Sequence, residues 1–437
     1  MNRLKSAVCW SFCAVFAGPL ILYESSCGRA AEFTSLEESA RLWREELASK
    51  IMPYWLRTLD ERQGGYLLAD DPQRPRQASE KQLVSQSRMI WTFSRVHRFG
   101  LSHDRQDYLR AAAHGYHFLG RSLFDSRHGG YFWKTDLAGQ PVNDCKFLYG
   151  QSFVVYALVE YYRASGERQA LQRAVDLYHA IQRHLHDPKH GGWLEHTERD
   201  WRPLTAGDGR NEVEVIGYRS ANAHLHWMEA LAELYDATRD AGIKKSLQEA
   251  LRINMKYFYP KDPGAAAFHR QPDWKPVTDP SSAGLSYGHN VEFAWLMVRA
   301  QQVLGRKPAW NHFYAHLHHA LKYGYDHQLG GLYNRGLDDQ PATDTAKIWW
   351  VQAEMLAALS DALAHRPDAA HETALRQLVR FIRTYQADPR DGIWLDTVTA
   401  AGQPARRAKA HSWKANYHDV RAIVKFIETF ERQPESR

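Results

Sequence analysis

Apolar residues recur along this chain at three- and four-residue spacing, not in strict alternation, which is the signature of amphipathic and buried helices. The spacing predicts about twelve helices, over 34–58, 80–99, 105–124, 144–165, 168–186, 219–240, 244–259, 286–306, 308–325, 344–364, 367–388 and 411–432. Pro and Gly punctuate the junctions, as at Asp187-Pro188, Pro260 and Asp388-Pro389. A Gly-Gly-aromatic or related turn returns at Gly64-Gly-Tyr66, Gly129-Gly-Tyr131, Gly191-Gly-Trp193, Gly330-Gly-Leu-Tyr333 and Gly392-Ile-Trp394. Gly264 fills the one long gap. The period is roughly 65 residues, longer than most solenoid repeats.

Two helices per period make six helical hairpins. Such an all-α chain is expected to close into an (α/α)6 barrel, six helices inside and six outside; an open solenoid is the alternative. Polar and aromatic residues gather near the starts of alternate helices: Arg88, Tyr149, Asn222 with His226, His289 with Glu292, Trp349 with Gln352, and Trp413 with His418. From Arg88 to Tyr149, His226, His289, Gln352 and His418 the steps keep to the repeat, except one that contains an extra loop, roughly Thr197–Gly217. If alternate helices form the inner wall, these positions converge on one aromatic-lined pocket.

With 44% hydrophobic and 24% charged residues in 437, the chain is of globular type, and no linker divides it. The exception is its start. Arg3 and Lys5 precede an apolar run from about Ala7 to Tyr23, and Gly28-Arg-Ala30 offers the small residues of a cleavage site. Residues 1–30 are therefore expected to be a signal peptide and 31–437 one barrel domain, exported to the periplasm or outside the cell. An uncleaved anchor is the alternative, for a run near the short limit for a span. Cys27 invites a lipoprotein reading that Glu24 fits poorly. Cys9, Cys13 and Cys27 lie in this leader, so the remaining chain keeps only Cys145 and has no internal disulfide. The formal charge of +6 falls to about +4 without the leader, with acids interspersed, which leaves no nucleic-acid footprint.

The candidate chemistry lies at the pocket positions. Among 23 histidines any one alone carries little weight, but repeat-matched placement singles out His289 and His418 as acid/base groups. Neutral imidazole takes a proton from a carbon beside a carbonyl, and imidazolium returns it. His226 is a further candidate, on one helix face with Asn222, while His224 points elsewhere. Arg88 can hold a developing oxyanion, or form a buried ion pair with Glu292 or Glu354. Trp349, Trp350 and Trp413 suit sugar platforms or core packing. Glu292 and Glu354 can bind hydroxyls, orient the histidines or serve as a hydrolase pair. Three histidines with Glu292 can bind zinc, yet no compact zinc signature such as H-E-x-x-H is present.

At these motifs the chain resembles the N-acylglucosamine 2-epimerase family, and within it the cellobiose 2-epimerase branch. The pieces are Ser85-Gln-Ser-Arg-Met-Ile-Trp91, Tyr149-Gly-Gln-Ser-Phe153, Asn222-Ala-His-Leu-His226, Ser286-Tyr-Gly-His-Asn-Val-Glu292, Trp349-Trp-Val-Gln-Ala-Glu354 and Trp413-Lys-Ala-Asn-Tyr-His418, in family order over about residues 35–432. The resemblance implies an (α/α)6 barrel. It also implies that His289 and His418 exchange protons at C2 of a ring-opened sugar, with Arg88 and His226 in the catalytic pocket. Asn222, Glu292, Glu354, Tyr149 and the tryptophans are expected around the sugar. No metal or organic cofactor is implied, and the expected partner is a small carbohydrate, bound by a monomer or homodimer. Tyr287 stands where N-acylglucosamine enzymes tend to have Pro, which favours a cellobiose- or mannose-type substrate. Ala223 replaces a common Thr. An aldose–ketose isomerase shares the enediolate and is the nearest alternative. A glycoside hydrolase or a non-catalytic sugar-binding protein are more distant ones.

Overall fold

The structure, a computed structural model, describes residues 35–431 except 70–77, 102–104, 206, 208 and 279–283. The expected leader, with Cys9, Cys13 and Cys27, lies outside the described residues. Among the described residues twelve helices follow one another. The first, α1, runs Leu36–Glu46 and continues through a π-helical turn, Leu47–Ile51, into Met52–Leu56. Then come α2 (Leu83–Phe99), α3 (Arg105–Phe118), α4 (Leu148–Ser165), α5 (Arg168–His184), α6 (Ala221–Thr238) and α7 (Ala241–Ile253). The last five are α8 (Tyr287–Val303), α9 (Trp310–Tyr323), α10 (Trp349–His365), α11 (Ala369–Phe381) and α12 (Tyr417–Phe430). No described helix is long and apolar enough to cross a membrane.

The even-numbered helices form an inner ring. Each packs on the next, and α12 packs back on α2, which closes the barrel and removes the open-solenoid alternative. The sequence explains the sorting. Inner α4 is buried almost all round, from Leu148 to Tyr161. Outer α5 buries only the stripe Ala170, Ala174, Leu177, Tyr178 and Ile181 and leaves its charged face to water. Outer helix α1 packs on α12, so the two ends of the described chain meet. Trp43 lies edge-on to Phe426 at 4.9 Å, and Arg44 reaches Glu431.

The recurrent turns are one motif. The Gly64, Gly129, Gly191, Gly330 and Gly392 N–H groups donate to the carbonyls of Asp60, Asp125, Asp187, Asp326 and Asp388, and all five glycines have positive φ. Three of those aspartates also face a fully buried lysine 21 residues further on: Lys81–Asp60 at 2.7 Å, Lys146–Asp125 at 3.0 Å and Lys347–Asp326 at 2.6 Å. A buried ammonium needs such a partner. Arg219 on Asp187 and Lys409 on Asp388 take the same part elsewhere.

Two features depart from expectation. Short antiparallel strands precede five inner helices and stitch each hairpin to the next: Lys81–Gln82 with Lys134–Thr135, Lys146–Phe147 with His196–Thr197, Arg219–Ser220 with His269–Arg270, Leu285–Ser286 with Arg335–Gly336, and Lys347–Ile348 with Thr397–Val398. Two-residue strands carry no readable alternation, so the predicted helices started one to five residues early there. Gln352 also belongs to a different register. Its amide grips the backbone of Leu332 from both sides, as Gln86 grips Tyr66 and Gln151 grips Tyr131, so it braces the turns and does not line the pocket.

Candidate active site

Inner helices begin at one rim, and there Arg88, Tyr149, Asn222, His226, His289, Glu292, Trp349, Trp350, Trp413 and His418 line a cavity of about 190 Å³. Ten of the eleven expected site residues thus share one wall. The eleventh, Glu354, lies directly behind it. Trp413 sits in the tight turn bridged by His411 and Lys414 before α12, not on the helix as expected.

His418 and His226 are each backed by a carboxylate. His418 Nδ1 donates to Glu354 Oε1 at 2.7 Å, and His226 Nδ1 donates to Glu229 Oε2 at 2.8 Å. An ionised carboxylate only accepts, so each ring carries its proton on Nδ1 and presents a lone pair on Nε2. Burial pushes both imidazoles below their ordinary range, against the pull of the carboxylates, and they rest neutral near pH 7. His289 differs. Its Nε2 lies 3.3 Å from Asn222 Oδ1, and its buried Nδ1 has no protein partner. Burial, then the neighbouring His226, pulls it down to about 3.

Trp350 packs against both proton-transfer candidates, its ring centroid 4.8 Å from His289 and 5.9 Å from His418. Gly288 permits this approach, since a Cβ there would come within 2.5 Å of the Trp350 ring. Arg88 donates to the Tyr149 hydroxyl at 3.0 Å and the Trp413 carbonyl at 3.3 Å, lies over Phe153, and keeps Nε unpartnered. The buried-ion-pair alternative for Arg88 does not hold, because Arg421 occupies that place.

Arg421 is the centre that the motifs did not single out. It donates to Glu229 at 2.6 Å, Glu354 at 2.7 Å and Glu292 at 3.0 Å, and to the Tyr417 hydroxyl, which itself donates to Glu229 at 2.8 Å. One guanidinium thereby fixes both carboxylates that orient histidines. Burial raises the Glu354 carboxyl, but Arg421 and His418 more than reverse this and hold it ionised. Burial and then the Glu354 charge push Glu292 well above the usual carboxylate range, so it rests as a neutral acid with Oε2 unpartnered. Glu292, Glu354 and His418 bring donor atoms within 4.8 Å of one another, but the Arg421 cation already bridges the two carboxylates, which suits an ion pair better than a metal. A local signal was available: each pocket histidine is followed three residues later by a member of the Arg421 network, as His226 by Glu229, His289 by Glu292 and His418 by Arg421 itself.

Two expectations are corrected or refined. The Tyr287 ring is fully buried against Gly324 and Gly336 and does not line the cavity, so it does not select a sugar by contact. His224 does point elsewhere: it takes the Trp193 N–H at the turn, the place of Gln86 and Gln151.

The N-acylglucosamine 2-epimerase (GlcNAc 2-epimerase) family matches residues 64–422. The chain belongs to this family. A cellobiose 2-epimerase of Dictyoglomus turgidum is 29% identical over 392 residues, covering 88% of this chain and 96% of its own. The solved cellobiose 2-epimerase of Bacillus thermoamylovorans superposes with a TM-score of 0.80 at 28% identity, over 89% of this chain and 98% of that one. A D-mannose isomerase of Marinomonas mediterranea is 24% identical over 405 residues, covering 89% of this chain and 98% of its own.

Proposed function

We propose that this protein is a sugar 2-epimerase that interconverts glucose-type and mannose-type reducing ends, with cellobiose- or mannose-type substrates preferred. One observation carries the reading: two neutral histidines, His289 and His418, both pack on one indole in a single cavity that Arg88 also lines. The sugar ring opens first, since only the aldehyde acidifies C2–H. One imidazole removes that proton, and the electron pair moves to the carbonyl oxygen, giving an enediolate held by the Arg88 cation. The proton then passes from the first ring, through solvent or the sugar's own hydroxyls, to the second, which as imidazolium delivers a proton to the opposite face of C2 and regenerates the aldehyde, leaving both rings neutral again. Glu354 stabilises the imidazolium formed on His418, and the tryptophans support the sugar's C–H faces. The apolar leader supports an exported enzyme acting on an extracytoplasmic glycan fragment.

The relatives that act as D-mannose isomerases favour a second reading, in which the same enediolate is protonated at C1. NMR in D2O with cellobiose, mannobiose, mannose, glucose and N-acetylglucosamine separates them. Deuterium at C2 with a new C2 epimer is expected. A ketose product moves the assignment to isomerase, and no exchange with any sugar overturns both.

A further inference from the structure

Of the three pocket histidines, His289 alone has no carboxylate behind it. Apart from ring packing by Phe268 at 5.3 Å and Trp350, what orients it is the Asn222 amide. That amide is itself fixed. Asn222 Nδ2 donates to Glu214 Oε1 at 3.0 Å, and the other oxygen of Glu214 lies 3.1 Å from His269 Nε2. An amide has one donor end and one acceptor end. With the donor end committed to a carboxylate, the acceptor end must face His289, and the nitrogen it faces must carry a hydrogen.

Glu214 sits near the end of the extra loop that breaks the repeat, and it does not line the cavity. Its φ is +45°, a conformation that costs a residue with a Cβ and persists only where the surroundings enforce it. Here they do. Asn211 Nδ2 donates to the Glu214 carbonyl at 2.7 Å, His196 Nε2 donates to the Val213 carbonyl at 2.7 Å, and Asn143 Nδ2 donates to the Arg210 carbonyl at 2.7 Å. His196 and Asn143 tie the inserted loop to the rest of the fold, and Asn211 braces it from within, around one strained glutamate.

We propose that Glu214 is a positioning residue: through Asn222 it sets the ring orientation and proton position of His289, and the inserted loop exists to hold it there. The inference rests on the epimerase reading. It has a consequence that a merely structural role lacks. Each face of C2 is served by one histidine, so disturbing His289 alone damages one face.

The test is Glu214→Gln in the otherwise unaltered chain, because a glutamine can donate to Asn222 and let its amide turn over. Turnover is expected to fall at least about tenfold, with KM within about twofold. In D2O, one epimer keeps its C2 exchange without inversion, within about threefold of wild type, through His418. Exchange from the other epimer falls together with epimerisation. If Glu214→Gln does not fold, Asn222→Ala must give the same split. A rise in KM alone makes Glu214 a sugar contact and overturns the proposal. So do parallel losses of both exchange reactions, or no change in a variant whose wild type exchanges normally. A wild type that exchanges neither epimer overturns the epimerase reading itself.

Discussion

Where the inner helices begin, a cavity of about 190 Å³ holds three histidines; where they end, a cavity of about 690 Å³ is ringed by arginines, Lys425 and acids. The larger cavity satisfies its own charges. Arg163 and Arg299 both grip Glu233 and Asp236, Arg98 pairs with Glu160, and Lys425 with Asp361. The smaller one leaves polar atoms over: Arg88 Nε, His289 Nδ1 and Glu292 Oε2 are buried without protein partners. Arg421 borders the larger cavity and anchors the carboxylates of the smaller, so one side chain separates the two. Size does not mark the reactive end. Buried groups held in place but not used up do, because they keep capacity for a ligand.

The comparison breaks most sharply at His418. His418→Ala is expected to lower turnover by about a thousandfold, within the range that a positioned general base supplies, while the sugar still binds. Steady-state rates with binding measured by calorimetry decide it, and unchanged turnover in a folded variant would remove His418 from the mechanism. Arg421→Met comes next. It strands the ionised Glu229 and Glu354 carboxylates, and breaking a buried pair in this way costs about 3–5 kcal/mol. Thermal unfolding should show that loss, and residual activity should fall at least about tenfold as both histidines lose their anchored partners.

The ring and the cavity wall were legible because they repeat. Polar side chains stand out at the starts of helices that are otherwise apolar, and every candidate chosen on that basis except Gln352 reached the cavity or the layer behind it. Arg421, Glu229 and Tyr417 were harder to see because their bonds join helices far apart: Arg421 meets Glu229 across 192 residues and Glu292 across 129. No local pattern records such pairings; only the three-residue offset from each histidine hints at them. Gln352 misled for the opposite reason. It lies at the right interval from His289, but two residues on from Trp350 its side chain turns back to the Leu332 backbone, and a period of about 65 residues does not resolve so small an offset.

The histidines also set a pH signature that sharpens the contrast. His289 in the upper cavity and His316 in the outer layer are both pulled down to about 3, in each case by burial first. A histidine depressed in the folded state contributes stability above its ordinary value near 6.5, and that contribution is lost as pH falls from 6.5 toward 3. The melting temperature should therefore decline across that window, starting before the carboxylates titrate. Over the same upper range kcat/KM should stay level from pH 8 to about 6, since bases already neutral have no proton to lose. An acid limb centred at 6.5 would mean that the catalytic imidazoles are not depressed.

The smallest expected effect tests the lower end. Arg299 lies on the same helix as His289, ten residues on, and donates to Glu233 at 2.8 and 3.0 Å and to Asp236 at 2.9 Å. Arg163 holds the same two acids at 2.5 and 2.8 Å, so removing Arg299 leaves neither carboxylate alone. Arg299 is also partly exposed, where an ion pair contributes about 1 kcal/mol or less. Arg299→Met should therefore lower stability by about that much and leave turnover within about twofold. If turnover instead drops tenfold while the melting temperature holds, the lower ring is not a self-satisfied belt: its charges act on the upper cavity through Arg421, and the two ends work as one electrostatic unit.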